Sequence, residues 1–256
     1  MTKWKKRTLL VKEPGFYRLM LMLALPVIIQ NMITVGVNIM DTVMLGSFGE
    51  IQLSGSSLAN DFINLFQIAC MGVGGGASVL SAQFYGKGDY NNVKKTVAIM
   101  LRVILSVAVV CMVISLFFPE ELLRIYTADT AVIEKGAIYL RYSTASFVMM
   151  AITMTLTLIL RSIHDVKIPL YASIGSFFVN IFFNWVFIFG HFGVPQMQIA
   201  GAAIGTVLAR LFELIVIGGH FFFQEKSVAL PHPGSLDAGR RSAGYILQIL
   251  HSGSVL

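Results

Sequence analysis

One acid and a series of amides recur at helical spacing inside apolar sequence. Asp41 follows Gln30, Thr34 and Asn38, and at 100° per residue the four fall within roughly 80° of arc. Asn60, Asn64 and Gln67 share about 60° of a second helix. Ser173, Ser176, Asn180 and Asn184 share roughly 80° of a third, and Thr206, Arg210 and Glu213 about 60° of a fourth. A carboxylate enclosed by such groups can bind and release a proton or Na⁺. An amide cannot titrate, but it can orient the carboxylate or coordinate the ion. Two plainer readings stand beside this one. Polar side chains within apolar helices also act as interhelical glue, at about 0.6 kcal/mol per contact. Asp41 lies near the end of its apolar run, where a carboxylate can simply face interfacial water. Arg210 and Glu213, three residues apart, can neutralise one another on one helix, either to fix packing or within a polar cavity. Asp61 also sits in apolar sequence, but its direction diverges from the neighbouring stripe.

Other chemistry is weakly represented. The run Gly72-Val73-Gly74-Gly75-Gly76 resembles a phosphate loop only superficially. It has no preceding strand and no following Gly-Lys-Ser/Thr, and it lies inside an apolar run. Its glycines suit close helix approach or bending. Cys70 and Cys111 lie in apolar runs and read as small hydrophobes, not as a disulfide or a metal site. His164, His191, His220, His232 and His251 fall in loops or at run ends. With no Ser-His-Asp grouping, carboxylate pair or metal-ligand cluster, the sequence points away from an enzyme and implies neither cofactor nor bound metal.

The elements that must position these stripes are membrane helices. Hydrophobic residues make up 56% of the 256, charged residues only 12%, and mean hydropathy is +0.76. Soluble domains carry about 25% charged residues. A membrane crossing needs about 20 mostly apolar residues, and runs at 19–46, 53–85, 93–118, 137–160, 168–189 and 199–223 meet that length. The expected fold is an all-α integral membrane protein, a bundle of six transmembrane helices. Pro26 frees a backbone carbonyl in the first and is a candidate kink. The 119–136 connection, with Leu122, Leu123, Ile125 and Tyr126, suggests a short helix on the outer surface.

Charge in the loops orients the bundle. Net charge is +6, but it forms no basic face of the kind nucleic acid requires. Lys3, Lys5, Lys6, Arg7, Lys12 and Arg18 precede the first run. Lys87, Lys94, Lys95, Arg161, Lys167, Lys226, Arg240 and Arg241 fall in alternate loops on the same side. The opposite loops hold Arg124 and Lys135 among Glu120, Glu121, Asp129 and Glu134. The positive-inside rule puts both ends of the six-helix unit in the cytoplasm, with the chain in the plasma (inner) membrane of a cell. Arg102 and Arg141 lie near run ends and can snorkel. The basic start lacks the short apolar core and small-residue cleavage site of a secretory signal.

Local motifs spread along the whole chain then converge. Leu25-Pro26 is followed by Met40-Asp41-Thr42-Val43-Met44-Leu45-Gly46, and the second run ends Ser81-Ala82-Gln83-Phe84-Tyr85-Gly86-Lys87-Gly88-Asp89. Leu160-Arg161-Ser162 precedes Asp165-Val166-Lys167-Ile168-Pro169. Asn180-Ile181-Phe182-Phe183-Asn184, Phe192-Gly193-Val194-Pro195 and Ala200-Gly201-Ala202-Ala203-Ile204-Gly205-Thr206 complete the set. In order and spacing the chain resembles the MATE (multidrug and toxic compound extrusion) transporters. That resemblance implies twelve helices in two six-helix lobes, exporting organic cations and drugs, small organic substrates, in exchange for H⁺ or Na⁺. It assigns cation coupling to Asp41 and to the polar pair Asn180 and Asn184. Some members carry an acid at the second of those positions, so Asn184 departs from a two-acid relay. Gln30, Thr34, Asn38, Asn60, Asn64, Gln67, Ser176, Thr206, Arg210 and Glu213 are the expected cavity lining.

The expected organisation is a basic cytoplasmic segment at 1–18, the six-helix lobe at 19–223, a cytoplasmic linker at 224–243 and the opening of a second lobe at 244–256. The remaining second lobe would lie in a longer chain or in a separate one. Two other functions remain open at this level. A flippase for lipid-linked precursors would need more cavity cations than Arg210 and Arg102 supply, and a non-transporting membrane fragment or assembly subunit is compatible with the length.

Overall fold

In the computed structural model, which describes residues 14–224, the chain forms seven helices: α1 (Pro14–Gly46), α2 (Glu50–Gly86), α3 (Tyr90–Phe117), α4 (Pro119–Arg124), α5 (Thr130–Ser162), α6 (Lys167–Phe189) and α7 (Gln198–Gln224). All but α4 are long and apolar enough to cross a membrane. The chain is a multi-pass membrane protein. At 1.5 Å per residue, the 37 residues of α2 exceed a hydrocarbon core of about 30 Å, which calls for tilt or projection beyond it. The parts of the sequence at 1–13 and 225–256, including most of the expected linker and the start of a second lobe, lie outside the described residues.

Short loops and side-chain caps fix the helix order. Asp89 caps α3, accepting from the Asn92 backbone at 3.2 Å and from the Asn92 side chain at 2.6 Å. Asp129 caps α5, accepting from Ala131 N–H at 2.9 Å and Val132 N–H at 3.4 Å. Each satisfies donors that a helix start leaves open. Gly190 ends α6 with φ at 77°, a left-handed turn that favours glycine. The α5 cap also changes the expected outer loop. A short helix does follow α3, but α5 begins at Thr130, so the expected 119–136 connection ends well before 136. Glu134 and Lys135 sit on its first turns with their charges 3.6 Å apart.

Centrally, α5 packs against α2, α3, α4 and α7, while α6 packs on α7 and α1. The α2–α5 seam closes where backbones touch: a Cβ on Gly55 would lie 2.9 Å from Gly136 N, and one on Gly136 would lie 2.9 Å from Gly55 O. Of the glycine run in α2, Gly74 alone meets a neighbour, Leu158 of α5. Phe147 is fully buried between Phe62 and Phe66, ring centroids 5.9 and 5.2 Å away, edge to face. Along α1 the pattern inverts. Among its described side chains the buried ones are Gln30, Asp41 and Leu45, while Met32, Val35, Ile39 and Val43 point outward. Hydrocarbon accepts the apolar face, and the polar groups turn to protein.

Candidate functional site: a polar wall between α1, α6 and α7

The stripes of α1, α6 and α7 meet across a cavity of about 200 Å³ bounded also by α2 and α5. Gln30, Thr34, Asn38, Gln67, Ser176, Asn180, Thr206, Arg210 and Glu213 all border it. Met71, Met150, Met154, Leu158 and Phe177 supply apolar wall. Arg210 Nη1 donates to Glu213 Oε2 at 2.9 Å, which neutralises both charges on one helix. Ser176 Oγ donates to the Ala209 carbonyl at 3.0 Å and ties α6 to α7.

Asp41 is not an interfacial carboxylate open to water. It is buried beyond the cavity's Asn38 and Asn180, where Asn184 Nδ2 donates to its Oδ1 at 2.5 Å. The same nitrogen donates to Asn180 Oδ1 at 3.1 Å, and Asn180 Nδ2 reaches Thr206 Oγ1 at 3.5 Å. The Asn184 amide can face these two oxygens only through its nitrogen, since a carboxylate and an amide oxygen both accept. Its own Oδ1 is buried without a partner among the described residues. Gly205 makes room for it, because a Cβ there would lie 2.0 Å from that oxygen. One acid on α1 is thereby joined through two amides of α6 to a hydroxyl of α7.

The other end of the cavity has a second bridge. Gln30 Nε2 donates to Ser173 Oγ at 2.8 Å and to the Pro169 carbonyl at 3.3 Å. Arg161 Nη2 donates to Gln30 Oε1. Arg161, read from sequence as a loop cation, belongs to the last turn of α5 and turns into the cavity.

Two expected lining residues do not border this cavity. Asn64 is exposed, and Asn60 does not border the cavity but accepts from the Tyr139 hydroxyl at 3.4 Å. The buried face of α2 runs through Ala59, Ile63, Phe66 and Cys70. Measured from Ile63, Gln67 is turned by about 40°, Asn60 by about 60° and Asn64 by about 100°. A mutual arc told which residues lie together, not which way they face. Asp61 is exposed as well. Sequence reasoning passed over the α5 contribution, Thr153, Thr157 and Arg161, although their spacing of four carries the same signal. It also missed Tyr139, buried at 1% exposure beside Asn60 and Thr206. No group of three or more His, Cys, Asp or Glu side chains placed to hold a metal occurs among the described residues.

A family model described as MatE matches residues 26–186, from the proline of α1 through most of α6. The chain belongs to the MatE family. Members of this family are transporters and not enzymes. The chain is 27% identical over 208 residues to the probable multidrug resistance protein YoeA of Bacillus subtilis, covering 80% of this chain and 44% of that protein. It is 26% identical to the probable multidrug resistance protein NorM of Thermotoga maritima, covering 77% of this chain and 42% of the relative. It therefore spans less than half the length of these relatives. A crystal structure of a MATE protein in the bent conformation superposes with a TM-score of 0.80 at 20% identity, over 90% of this chain and 51% of that one. A MOP superfamily transporter from Pyrococcus furiosus gives 0.79 at 20% identity, over 90% and 50%. These two likenesses establish the MatE fold of one lobe.

Proposed function

We propose that this chain is the N-terminal lobe of a twelve-helix exporter that moves small organic solutes out of the cell in exchange for H⁺ or Na⁺. The observation that carries the reading is the buried Asp41–Asn184 contact set against the cavity wall. A carboxylate is expensive away from water and marks an ion pathway in a membrane protein. Here it is held by an amide whose other contacts run across α6 to α7. An ion arriving at Asp41 replaces the donor that Asn184 provides, and the α1–α6–α7 contacts must then rearrange. Solute binding in the adjoining cavity favours the alternative arrangement, so ion and solute exchange through one shared equilibrium. In this reading the N-terminus is cytoplasmic, the membrane is the plasma membrane, and a second six-helix lobe completes the site. Organic cations are the substrates the family resemblance suggests, and the relatives' designation as multidrug resistance proteins supports export of drugs.

The test is efflux from proteoliposomes holding the full-length protein, loaded with ethidium, Nile red or fluorescein and driven by an imposed H⁺ or Na⁺ gradient. At least one dye is expected to move only with a gradient, and Asp41→Asn to slow it by about two orders of magnitude, because a neutral amide cannot take up the ion. Gradient-driven efflux that survives Asp41→Asn, or no gradient-dependent movement of any dye, overturns the proposal.

A further inference from the structure

The charges bordering the cavity do not balance. Arg161, Arg210 and Glu213 are its ionised side chains, and Arg210 and Glu213 neutralise one another at 2.9 Å. Arg161 has no carboxylate partner among the described residues. Among those residues its hydrogen-bond acceptor is the neutral Gln30 amide, and its buried Nε meets none. A guanidinium carries five N–H donors in a planar fork, so this one holds most of its binding capacity in reserve. Asp41 does not cancel it. Gln30, which anchors the guanidinium, and Asp41 are eleven residues apart on α1, a rise of about 16 Å.

From this arrangement we infer that the Arg161 end of the cavity is a binding subsite for the anionic group of a small organic amphiphile, a carboxylate, phosphate or sulfate carried alone or within a zwitterion. The inference rests on the export reading above and names the substrate chemistry of the same cavity. Arg161 is half-buried with its Nε enclosed, and an incoming anion offsets the cost of holding a guanidinium there without a carboxylate among the described residues. The fork geometry suits two parallel bonds to a carboxylate or phosphate. Gln30 holds the fork from one side, and Ser173 and the Pro169 carbonyl hold Gln30. Beside it, Met150, Met154, Leu158 and Phe177 offer the apolar wall for the remainder of the solute, with methionines that adapt to varied shapes. The volume of about 200 Å³ suits a small solute.

Binding to the purified full-length protein in neutral detergent decides the matter, with dansylglycine as the carboxylate probe and dansylamide as its uncharged counterpart. Dansylglycine is expected to bind about tenfold more tightly, the worth of a hydrogen-bonded charge contact. Arg161→Gln removes the preference, and Arg161→Lys keeps most of it. Equal affinities in the wild-type protein, or an undiminished preference in Arg161→Gln, overturn the subsite. The wild-type ratio decides even if Arg161→Gln fails to fold. Displacement of dansylglycine by phosphatidylglycerol but not by phosphatidylcholine would make the anion a lipid headgroup and overturn the solute assignment. No ion gradient enters this assay. Equal probe binding with intact gradient-driven efflux removes the subsite alone, and a preserved preference without exchange removes the export mechanism alone.

Discussion

The two sides of this lobe use polar atoms in opposite ways. On the α2–α3–α5 side, hydroxyls return to their own helix: Thr155 Oγ1 donates to the Ala151 carbonyl at 2.8 Å, and Thr96 Oγ1 to the Asn92 carbonyl at 2.9 Å. Contacts between those helices are chiefly apolar, as at Phe147, or backbone against backbone, as at Gly55 and Gly136, with two long polar contacts between α2 and α5, Tyr139 to Asn60 and Gln67 to Met150, each at 3.4 Å. On the α1–α6–α7 side some hydroxyls also return to their own helix, as Thr34 does to the Gln30 carbonyl, but four bonds cross between helices, joining Gln30 to Ser173, Asp41 to Asn184, Asn180 to Thr206 and Ser176 to Ala209. In hydrocarbon, packing supplies most helix association and each interhelical polar contact adds only about 0.6 kcal/mol. The first side is therefore built to stay closed. The second is built from weak, directional contacts that can be exchanged one for another, as the proposed exchange requires.

Breaking the packed side should cost the most stability and spare the exchange step. Phe147→Ala removes a fully buried ring from between Phe62 and Phe66 and should cost about 3 kcal/mol or more, read as a lowered melting midpoint of the full-length protein in detergent. Efflux per folded molecule should stay near the wild-type value. A large loss of efflux in well-folded Phe147→Ala would mean that the packed side takes part in transport. A smaller change in stability with a larger change in function is expected across the bundle. Gly205→Ala places a methyl 2.0 Å from Asn184 Oδ1 and 3.1 Å from Asn184 N. The strain should be about 1–3 kcal/mol, and the displaced amide should no longer hold Asp41, so gradient-driven efflux falls while the protein stays folded. Efflux unchanged in Gly205→Ala would separate the amide from the coupling step and blur the contrast between the two sides.

Much of this was readable from residue order alone. Long apolar runs gave the membrane helices, since nothing but lipid tolerates so many exposed Leu, Ile, Val and Met side chains. The stripes of α1, α6 and α7 were legible because a polar residue in such a run has few places to face. Asn64 is exposed and lies outside the cavity. Three polar residues on one arc indicate a face, but the direction of that face depends on where the neighbouring helix lies, and on α2 it is centred nearer Ala59 and Ile63 than Asn64. Arg161 was passed over for a related reason. A cation at the end of a run has an interfacial explanation ready, and its inward turn is visible only once Gln30 stands opposite. The space left for Asn184 by Gly205 has no signature in sequence, because a glycine before a helical threonine is compatible with many packings.

The account rests on Asp41 serving as the point where ion and solute meet, and linkage tests that directly. The affinity of the full-length protein for whichever dye it exports should be measured in detergent against rising Na⁺ and against falling pH. Either ion should weaken dye binding by about tenfold, the usual size of coupling between two sites, and Asp41→Asn should bind the dye with no dependence on that ion. The same ion dependence in the wild-type protein and in Asp41→Asn would contradict the account.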